Sequence, residues 1–235
     1  MTTLALDLQI SARRRLRVAL TLLSAVPILG LLAAQTEAHR ADEWLYRSIN
    51  GVGPGPEWLW TLLDPHTRNY LVLIVLALGA AAVTNFRSIP ATFARVFGSA
   101  LLAWALLEAV YAVYNRPRPE EVIADPTLNG HSWAHLNSFP SGHMAITAAL
   151  AVAVALSFPR LRFALWGYVA AVAFTRVFFG AHFPLDVLAG TALGTASAIL
   201  VAQPSSVLAP VRTALGALSS LRATPGAVAP AARRP

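Results

Sequence analysis

The sequence predicts an all-helical protein that crosses a membrane six times. Of its 235 residues, 56% are hydrophobic and only 12% are charged, which is too apolar for an ordinary soluble domain. The apolar residues also cluster into runs long enough to cross roughly 30 Å of hydrocarbon as helices. The basic residues, all of them arginines, lie in small groups at the ends of these runs. A nucleic-acid surface needs them gathered on one patch, so we expect no nucleic-acid partner despite the net charge of +7.

The predicted spans are apolar runs that end at charged residues or helix breakers. They cover residues 16–35, 69–85, 91–114, 143–158, 162–180 and 184–203. The first run follows an arginine cluster that ends at Arg17, and its length favours a retained anchor over a cleaved signal peptide. An interfacial helix is expected around Trp44–Ile49, between the first two spans. In the sixth span, Gly190 and Gly194 form a GxxxG pattern, which favours close helix packing inside the chain over dimerisation.

The arginines also predict the orientation of the chain, because positively charged loops favour the cytoplasmic side. If the six spans alternate, one side receives the N-terminal cluster, Arg87, the pair Arg160 and Arg162, and the tail. The other side then receives residues 36–68 and 115–142 and the turn at Ala181. We treat residues 1–203 as one transmembrane domain. The cytoplasmic tail, residues 204–235, is rich in Ala, Pro and Ser, and we expect it to be disordered or interfacial.

Three short runs carry the residues suited to phosphate chemistry. They are Arg116-Pro117-Arg118-Pro119, Phe139-Pro140-Ser141-Gly142-His143, and Thr175-Arg176 followed by His182 and Asp186. All three fall on the predicted outer side. Cleavage of a phosphate ester without a metal needs a nucleophile, an acid for the leaving oxygen and cations around the phosphoryl oxygens. These runs supply each of them beside long apolar segments.

His182 and Asp186 are four residues apart, and Pro184 between them suits the first turn of a helix. One helical turn is expected to bring the carboxylate toward the imidazole, where it fixes the tautomer and stabilises positive charge. The other ring nitrogen is then available to attack phosphorus. Ser141 is expected to cap the helix that follows it, and Gly142 lets the backbone approach an anion near the helix N-terminus.

The order and spacing of the three runs resemble the signature of the PAP2 superfamily (type 2 phosphatidic acid phosphatases), which reads K-x6-RP, PSGH and SR-x5-H-x3-D. The resemblance covers about residues 100–195. It implies a six-helix membrane bundle of the PAP2 type and a transiently phosphorylated His182 oriented by Asp186. It also implies that His143 is the general acid and that Arg118 and Arg176 bind the phosphate.

The chain departs from that signature in its first run. The lysine of the signature is replaced by Tyr111, a phenol without positive charge, and we expect Arg116 to supply the missing cation. Glu108 lies about a turn before Tyr111 inside the third span. It either pairs with an active-site arginine or packs close enough to the interface to stay hydrated. Thr175 in place of serine keeps the hydroxyl.

The resemblance implies a metal-independent hydrolase of the bacterial cytoplasmic membrane, with its site facing the periplasm or the exterior. The expected substrate is a lipid-linked phosphate, with undecaprenyl diphosphate preferred. The alternatives are a phosphatidylglycerophosphate or phosphatidate phosphatase, a lipid phosphotransferase, and a non-catalytic lipid-phosphate binder or transporter. No cofactor or metal is expected, since no group of ligating residues has suitable spacing and the chain has no cysteine.

Overall fold

The computed structural model describes residues 3–53, 68–84, 87, 89–128 and 136–203. Contacts divide the chain into two units. The larger unit comprises residues 15–202 and contains all the predicted site residues. The smaller unit comprises residues 1–14 and 203–235, of which residues 3–14 are helical. The prediction of a disordered or interfacial tail over residues 204–235 lies outside the described residues.

The described ranges are helical and contain no strand, which confirms the predicted all-α class. The helices are α1 (Thr3–Ala34), α2 (Thr36–Asn50), α3 (Arg68–Thr84), α4 (Ile89–Tyr111), α5 (Pro119–Val122), α6 (Gly142–Ser157), α7 (Arg162–Phe178) and α8 (Pro184–Val201). A 3-10 turn, Pro159–Leu161, directly precedes α7.

Four of these helices are long and apolar enough to cross a membrane. They are the segment Ser11–Ala34 of α1, the whole of α4, the segment Pro159–Phe178 and the whole of α8. The helix α6 is apolar but shorter, with 16 residues, and α3 has 17. The predicted six spans therefore correspond to four long helices and two shorter ones, and the count of six stays a prediction.

Local signals in the sequence explain where the helices near the site begin. Proline occupies an early position in α5 and in α8, where the missing N–H is no loss. Ser141 is the N-cap of α6, and its hydroxyl accepts a hydrogen bond from the backbone N–H of Met144 at 3.5 Å, which confirms the predicted cap.

The centre of the larger unit is α6, which packs against α4, α7 and α8. Its residues from Met144 to Val154 are buried around most of the helix, as expected for an element that is apolar on every side. A Cβ atom at Gly190 would collide with the carbonyl oxygen of Ser141, and one at Gly194 with that of Ala145. The two glycines therefore let α8 approach α6 closely, which confirms the packing predicted from the GxxxG pattern.

The helix α2 covers the predicted Trp44–Ile49 segment and packs against α7 and α8. It buries one stripe of residues, Asp42, Tyr46 and Asn50, and leaves Trp44 exposed. The amide nitrogen of Asn50 donates to the carbonyl oxygens of Thr127 at 2.9 Å and Phe178 at 2.8 Å. This stripe attaches α2 to the end of the bundle where the site lies.

Candidate active site

All three signature runs meet at one end of the larger unit. Tyr111 is the last residue of α4, Gly142 the first of α6, and Arg176 lies in the last turn of α7. His182 lies in the loop before α8. At the opposite end, Arg95 donates to the hydroxyl of Ser157 at 2.8 Å.

His182 is buried, and both of its ring nitrogens have neighbours that define their roles. Its Nδ1 lies 2.9 Å from the carbonyl oxygen of Ser138. A carbonyl oxygen can only accept, so this contact assigns the proton to Nδ1 and leaves the lone pair on Nε2. That Nε2 lies 3.5 Å from Nη1 of Arg118. The nitrogen able to attack phosphorus therefore faces a guanidinium able to hold the phosphate.

The protonation of His182 follows from its surroundings. Burial lowers the pKa of the His182 imidazole well below its usual range, and the charges of Arg118, His143 and Arg176 lower it further. The hydrogen bond to the Ser138 carbonyl acts in the opposite direction and raises this pKa. The ring is therefore neutral at neutral pH, as a nucleophile must be.

Asp186 does not hydrogen-bond the ring directly, in contrast to the expectation from the spacing. Its Oδ2 lies 3.9 Å from Nδ1 of His182. That oxygen instead accepts from the Ser138 hydroxyl at 2.6 Å and from the backbone N–H of Phe183 at 2.9 Å. The physical reason is that His182 precedes α8, so no helical turn joins the two side chains. Ser138 connects them: its hydroxyl bonds Asp186 and its carbonyl bonds His182.

Arg118 is buried at the end of a loop and directed by three backbone carbonyls. Its Nη1 donates to Ala181 at 2.9 Å, its Nη2 to Asn137 at 3.2 Å and its Nε to Leu136 at 3.3 Å. These neutral acceptors fix the plane of the guanidinium while leaving its positive charge uncancelled by them. The arrangement suits binding of phosphoryl oxygens.

Arg176 is fully buried in the last turn of α7. Its backbone carbonyl accepts from the N–H groups of Ala181 at 3.0 Å and His182 at 3.1 Å, so it also shapes the loop that carries His182. Its charge lowers the pKa of His182, which is consistent with a guanidinium close to that ring.

Ser141, Gly142 and His143 lie at the N-terminus of α6, at the same end of the larger unit as His182. The N–H of Ser141 donates to the backbone carbonyl of Asp186 at 2.9 Å, which ties the second run to the third. A Cβ atom at Gly142 would lie 3.0 Å from Leu107 and 3.3 Å from the Tyr111 hydroxyl, so only glycine fits without displacing a neighbour. His143 is half-buried, and its charge also lowers the pKa of His182.

Arg116 has partners other than those expected of a substitute phosphate ligand. Its Nη1 pairs with Asp186 at 2.6 Å and its Nη2 with Asp42 at 2.7 Å, both as buried ion pairs. The guanidinium also lies 4.2 Å from the ring centre of Phe183. Burial alone lowers the pKa of Arg116, but the two carboxylates outweigh it and raise that pKa. With two carboxylates to neutralise it, Arg116 is a poor replacement for the missing lysine.

The two accessory residues of α4 also have defined positions. The hydroxyl of Tyr111 donates to the carbonyl of Pro140 at 3.1 Å, so the phenol supports the loop before α6. Glu108 is exposed on the outside of α4. This exposure does not fit a pair with one of the buried active-site arginines, and the hydrated role of Glu108 stays a prediction.

Sequence reasoning missed Asp42 and Ser138. Asp42 carries a detectable signal, because it stands at i, i+4 and i+8 with Tyr46 and Asn50 on the buried stripe of α2. Ser138 contributes its hydroxyl to Asp186 and its backbone carbonyl to His182, and the carbonyl leaves no signal in the sequence because any residue type would offer it. Within the described residues, no group of three or more His, Cys, Asp or Glu side chains is arranged to hold a metal ion.

Several known proteins are similar to this chain in sequence. A lipid A 1-phosphatase of Rhizobium etli is 38% identical over 115 residues, which are 47% of this chain and 47% of that protein. An undecaprenyl-diphosphatase of Sulfolobus acidocaldarius is 41% identical over 71 residues, 29% of this chain and 34% of that protein. The matched parts thus span about half the length of these curated relatives, or less.

A transmembrane PAP2 type phosphatidylglycerolphosphate phosphatase from Bacillus subtilis shares the fold. Its crystal structure superimposes with a TM-score of 0.57 at 22% identity, over 78% of this chain and 93% of that one. The family model of the PAP2 superfamily matches residues 92–206, which include all three signature runs. Through these residues the chain belongs to the PAP2 superfamily.

Proposed function

We propose that this protein is a membrane lipid phosphatase that uses His182 as its nucleophile. The observation that carries the proposal is the position of the His182 ring. Its Nδ1 is held by the Ser138 carbonyl at 2.9 Å, and its Nε2 faces Arg118 at 3.5 Å. A neutral imidazole held in one tautomer beside a fixed guanidinium is the arrangement required for attack on a bound phosphate.

The proposed reaction has two steps. In the first, Nε2 of His182 attacks phosphorus in line, the N–P bond forms, and the bond from phosphorus to the lipid oxygen breaks. His143 gives its proton to that leaving oxygen. In the second step, water attacks the phosphohistidine, the N–P bond breaks, and inorganic phosphate leaves. His143 takes the proton of the water and is ready for another cycle.

The lipid nature of the substrate is supported by an apolar cavity beside the site. This cavity has a volume of about 280 Å³ and lies between α1 and α4. Val26, Leu31, Val110 and Phe139 contribute to its walls. Phe139 directly precedes the loop that caps α6, so a hydrocarbon chain in this cavity would leave its head group near the phosphate-binding residues. The arginine distribution supports a site on the periplasmic or outer side of the membrane.

The charges of the site favour a phosphate monoester over the diphosphate expected from the sequence. Arg116 is neutralised by Asp42 and Asp186, and the lysine of the signature is Tyr111. The signature assigns Arg118 and Arg176 to the phosphate, and two guanidinium groups match the two charges of a monoester. The relative named lipid A 1-phosphatase makes a glycolipid phosphate the first candidate. Undecaprenyl diphosphate is the second candidate substrate, because another relative is named undecaprenyl-diphosphatase.

The test is release of phosphate by the purified protein in detergent with EDTA present. The panel contains lipid A, undecaprenyl diphosphate, phosphatidylglycerophosphate and phosphatidate. We expect phosphate release that His182→Ala abolishes and that His66→Ala, a change of a histidine outside the three runs, leaves intact. Full activity in His182→Ala, or activity that appears only with added metal, would contradict the mechanism. Transfer of phosphate to an added alcohol in place of water would indicate a phosphotransferase, and binding without turnover a non-catalytic binder.

A further inference from the structure

Asp42, on the helix α2 and outside all three signature runs, is a buried carboxylate connected to the nucleophile. We propose that Asp42 is a positioning residue which, through Arg116, holds Asp186 and thereby the loop that carries His182. This inference rests on the proposed function, because it assigns Asp42 a part in the same reaction.

Both oxygens of Asp42 bind groups next to the catalytic machinery. Its Oδ2 pairs with Nη2 of Arg116 at 2.7 Å, and its Oδ1 accepts from the backbone N–H of Leu185 at 2.9 Å. Leu185 lies in the first turn of α8, directly before Asp186. The Asp42 side chain is 1% exposed, so water cannot take over either contact.

The path from Asp42 to the nucleophile consists of four short contacts. Arg116 joins Asp42 to Oδ1 of Asp186, using one terminal nitrogen for each carboxylate. Oδ2 of Asp186 accepts from the Ser138 hydroxyl at 2.6 Å, and the Ser138 carbonyl holds Nδ1 of His182 at 2.9 Å. The backbone N–H of Ser138 also donates a hydrogen bond to the backbone carbonyl of Arg116 at 2.9 Å. An unbroken series of contacts therefore connects Asp42 to His182.

The charges along this path explain why a carboxylate is needed at position 42. Two carboxylates and one guanidinium leave the group formed by Asp42, Arg116 and Asp186 with one net negative charge. That charge lies close to an imidazole that becomes positive as the N–P bond forms, and it stabilises this state more than the neutral ground state. Without Asp42, Arg116 and Asp186 would leave the group with no net charge, and this stabilisation would be lost.

Attachment of α2 alone does not require Asp42. Tyr46 packs against Phe183 with ring centres 5.4 Å apart, and Asn50 bonds Thr127 and Phe178. A buried ion pair is weak support for stability, because removing two charges from water costs about as much as their attraction returns. The role that distinguishes Asp42 from its neighbours on α2 is its contact with Arg116 and Leu185.

The decisive variant is Asp42→Asn, which keeps an oxygen acceptor for the Leu185 N–H but removes the charge. Glu43→Gln is the matched control, because Glu43 is the next residue on α2 and pairs only at the surface with Arg47, at 2.8 Å. The measurement is a single turnover with the ³²P-labelled lipid of the panel that the wild type hydrolyses fastest. The rate constant and the amplitude of phosphoenzyme formation are recorded separately.

We expect the rate constant of Asp42→Asn to fall roughly tenfold or more, with an unchanged amplitude. Inhibition by inorganic phosphate should be equal or tighter, because the site has lost a negative charge. Asp42→Glu, which restores the charge, should recover most of the loss, and Glu43→Gln should match the wild type. A merely structural role would instead lower the amplitude, the fraction of folded enzyme, and leave the rate constant unchanged.

The inference is overturned if the rate constant of Asp42→Asn stays within about twofold of the wild type, or if only the amplitude falls. If Asp42→Asn does not yield folded protein, Arg116→Lys takes its place, because one ammonium group cannot bridge two carboxylates as the guanidinium does. A wild-type rate constant in Arg116→Lys would then overturn it. Absence of any phosphoenzyme in the wild type would contradict the proposed function itself, and the inference with it.

Discussion

At the scale of single residues, the site is held chiefly by backbone carbonyls, and Arg118 is the clearest case. Its guanidinium donates to Ala181, Asn137 and Leu136 in three directions of one plane. The ammonium group of a lysine carries the same charge but has no such plane and no fixed fork. The orientation of the charge is therefore as important here as its presence.

Replacement of Arg118 by lysine should consequently impair catalysis. We expect Arg118→Lys to lower kcat/KM by roughly 10²-fold, because the transition state loses a donor that is fixed before the reaction. Steady-state kinetics of lipid phosphate hydrolysis provide the measurement. Arg40→Lys is the control, since Arg40 forms an exposed pair with Glu37 at 2.9 Å and should retain full activity. A kcat/KM within about threefold of the wild type in Arg118→Lys would disprove the orientation argument.

The residues of the site differ in how far the sequence could predict them. His182, Asp186 and Arg118 were identified because the short runs that contain them resemble the PAP2 signature in order and spacing. The hydrogen bond that orients His182 could not be predicted, since it comes from the backbone of Ser138, 44 residues away. Asp42 and Glu43 are adjacent carboxylates in the sequence, and only the packing of α2 buries the first and leaves the second half-exposed.

At the scale of helices, most element bounds were predictable because their signals are local. The ends of α4, α6, α7 and α8 lie within a few residues of the predicted spans, and proline or a serine cap begins α6 and α8. The first predicted span begins at residue 16, whereas the helix α1 that contains it begins at Thr3. The added turns contain good helix formers without an apolar run, which a search for membrane spans does not detect.

The contact between α6 and α8 gives a prediction at this scale. Gly194→Ala should destabilise the protein by about 1–3 kcal/mol, because the new Cβ would collide with the carbonyl of Ala145 in the middle of α6. Thermal unfolding in detergent is the measurement. Gly167→Ala is the matched control: Gly167 lies in α7 with nothing within 4 Å of an added Cβ. If both variants unfold at the wild-type temperature, close packing of α8 on α6 is not needed for stability.

At the scale of the whole molecule, the charges of the described residues are separated between the two ends of the bundle. Arg95 lies with Ser157 at one end, and the buried charges Arg116, Arg118, Asp42 and Asp186 lie at the other. The sequence predicted this separation from the arginine groups, but not that one arginine at the site end would bind two carboxylates. Ion pairs between segments 70 or more residues apart leave no pattern in the sequence.

Burial of His182 makes the stability of the whole protein depend on pH. Burial and the charge of Arg118 lower the pKa of this imidazole in the folded state, whereas in the unfolded chain it is about 6.5. Above pH 6.5 the ring is neutral in both states and its titration contributes nothing. As the pH falls below about 6.5, the unfolded state binds a proton that the folded state does not, so the free energy of unfolding decreases by up to about 1.4 kcal/mol per pH unit.

This dependence is measurable as the difference in unfolding temperature between about pH 7.5 and about pH 5.5, a window around the unfolded pKa of histidine. We expect the wild type in detergent to lose stability across this window and His182→Gln, which has no titratable ring at this position, to lose less. His66→Ala serves as the control, since it removes a histidine from outside the three signature runs. An equal decrease in the wild type and in His182→Gln would mean that His182 is protonated as readily in the folded protein as in the unfolded chain. That result would remove the physical basis for a permanently neutral nucleophile.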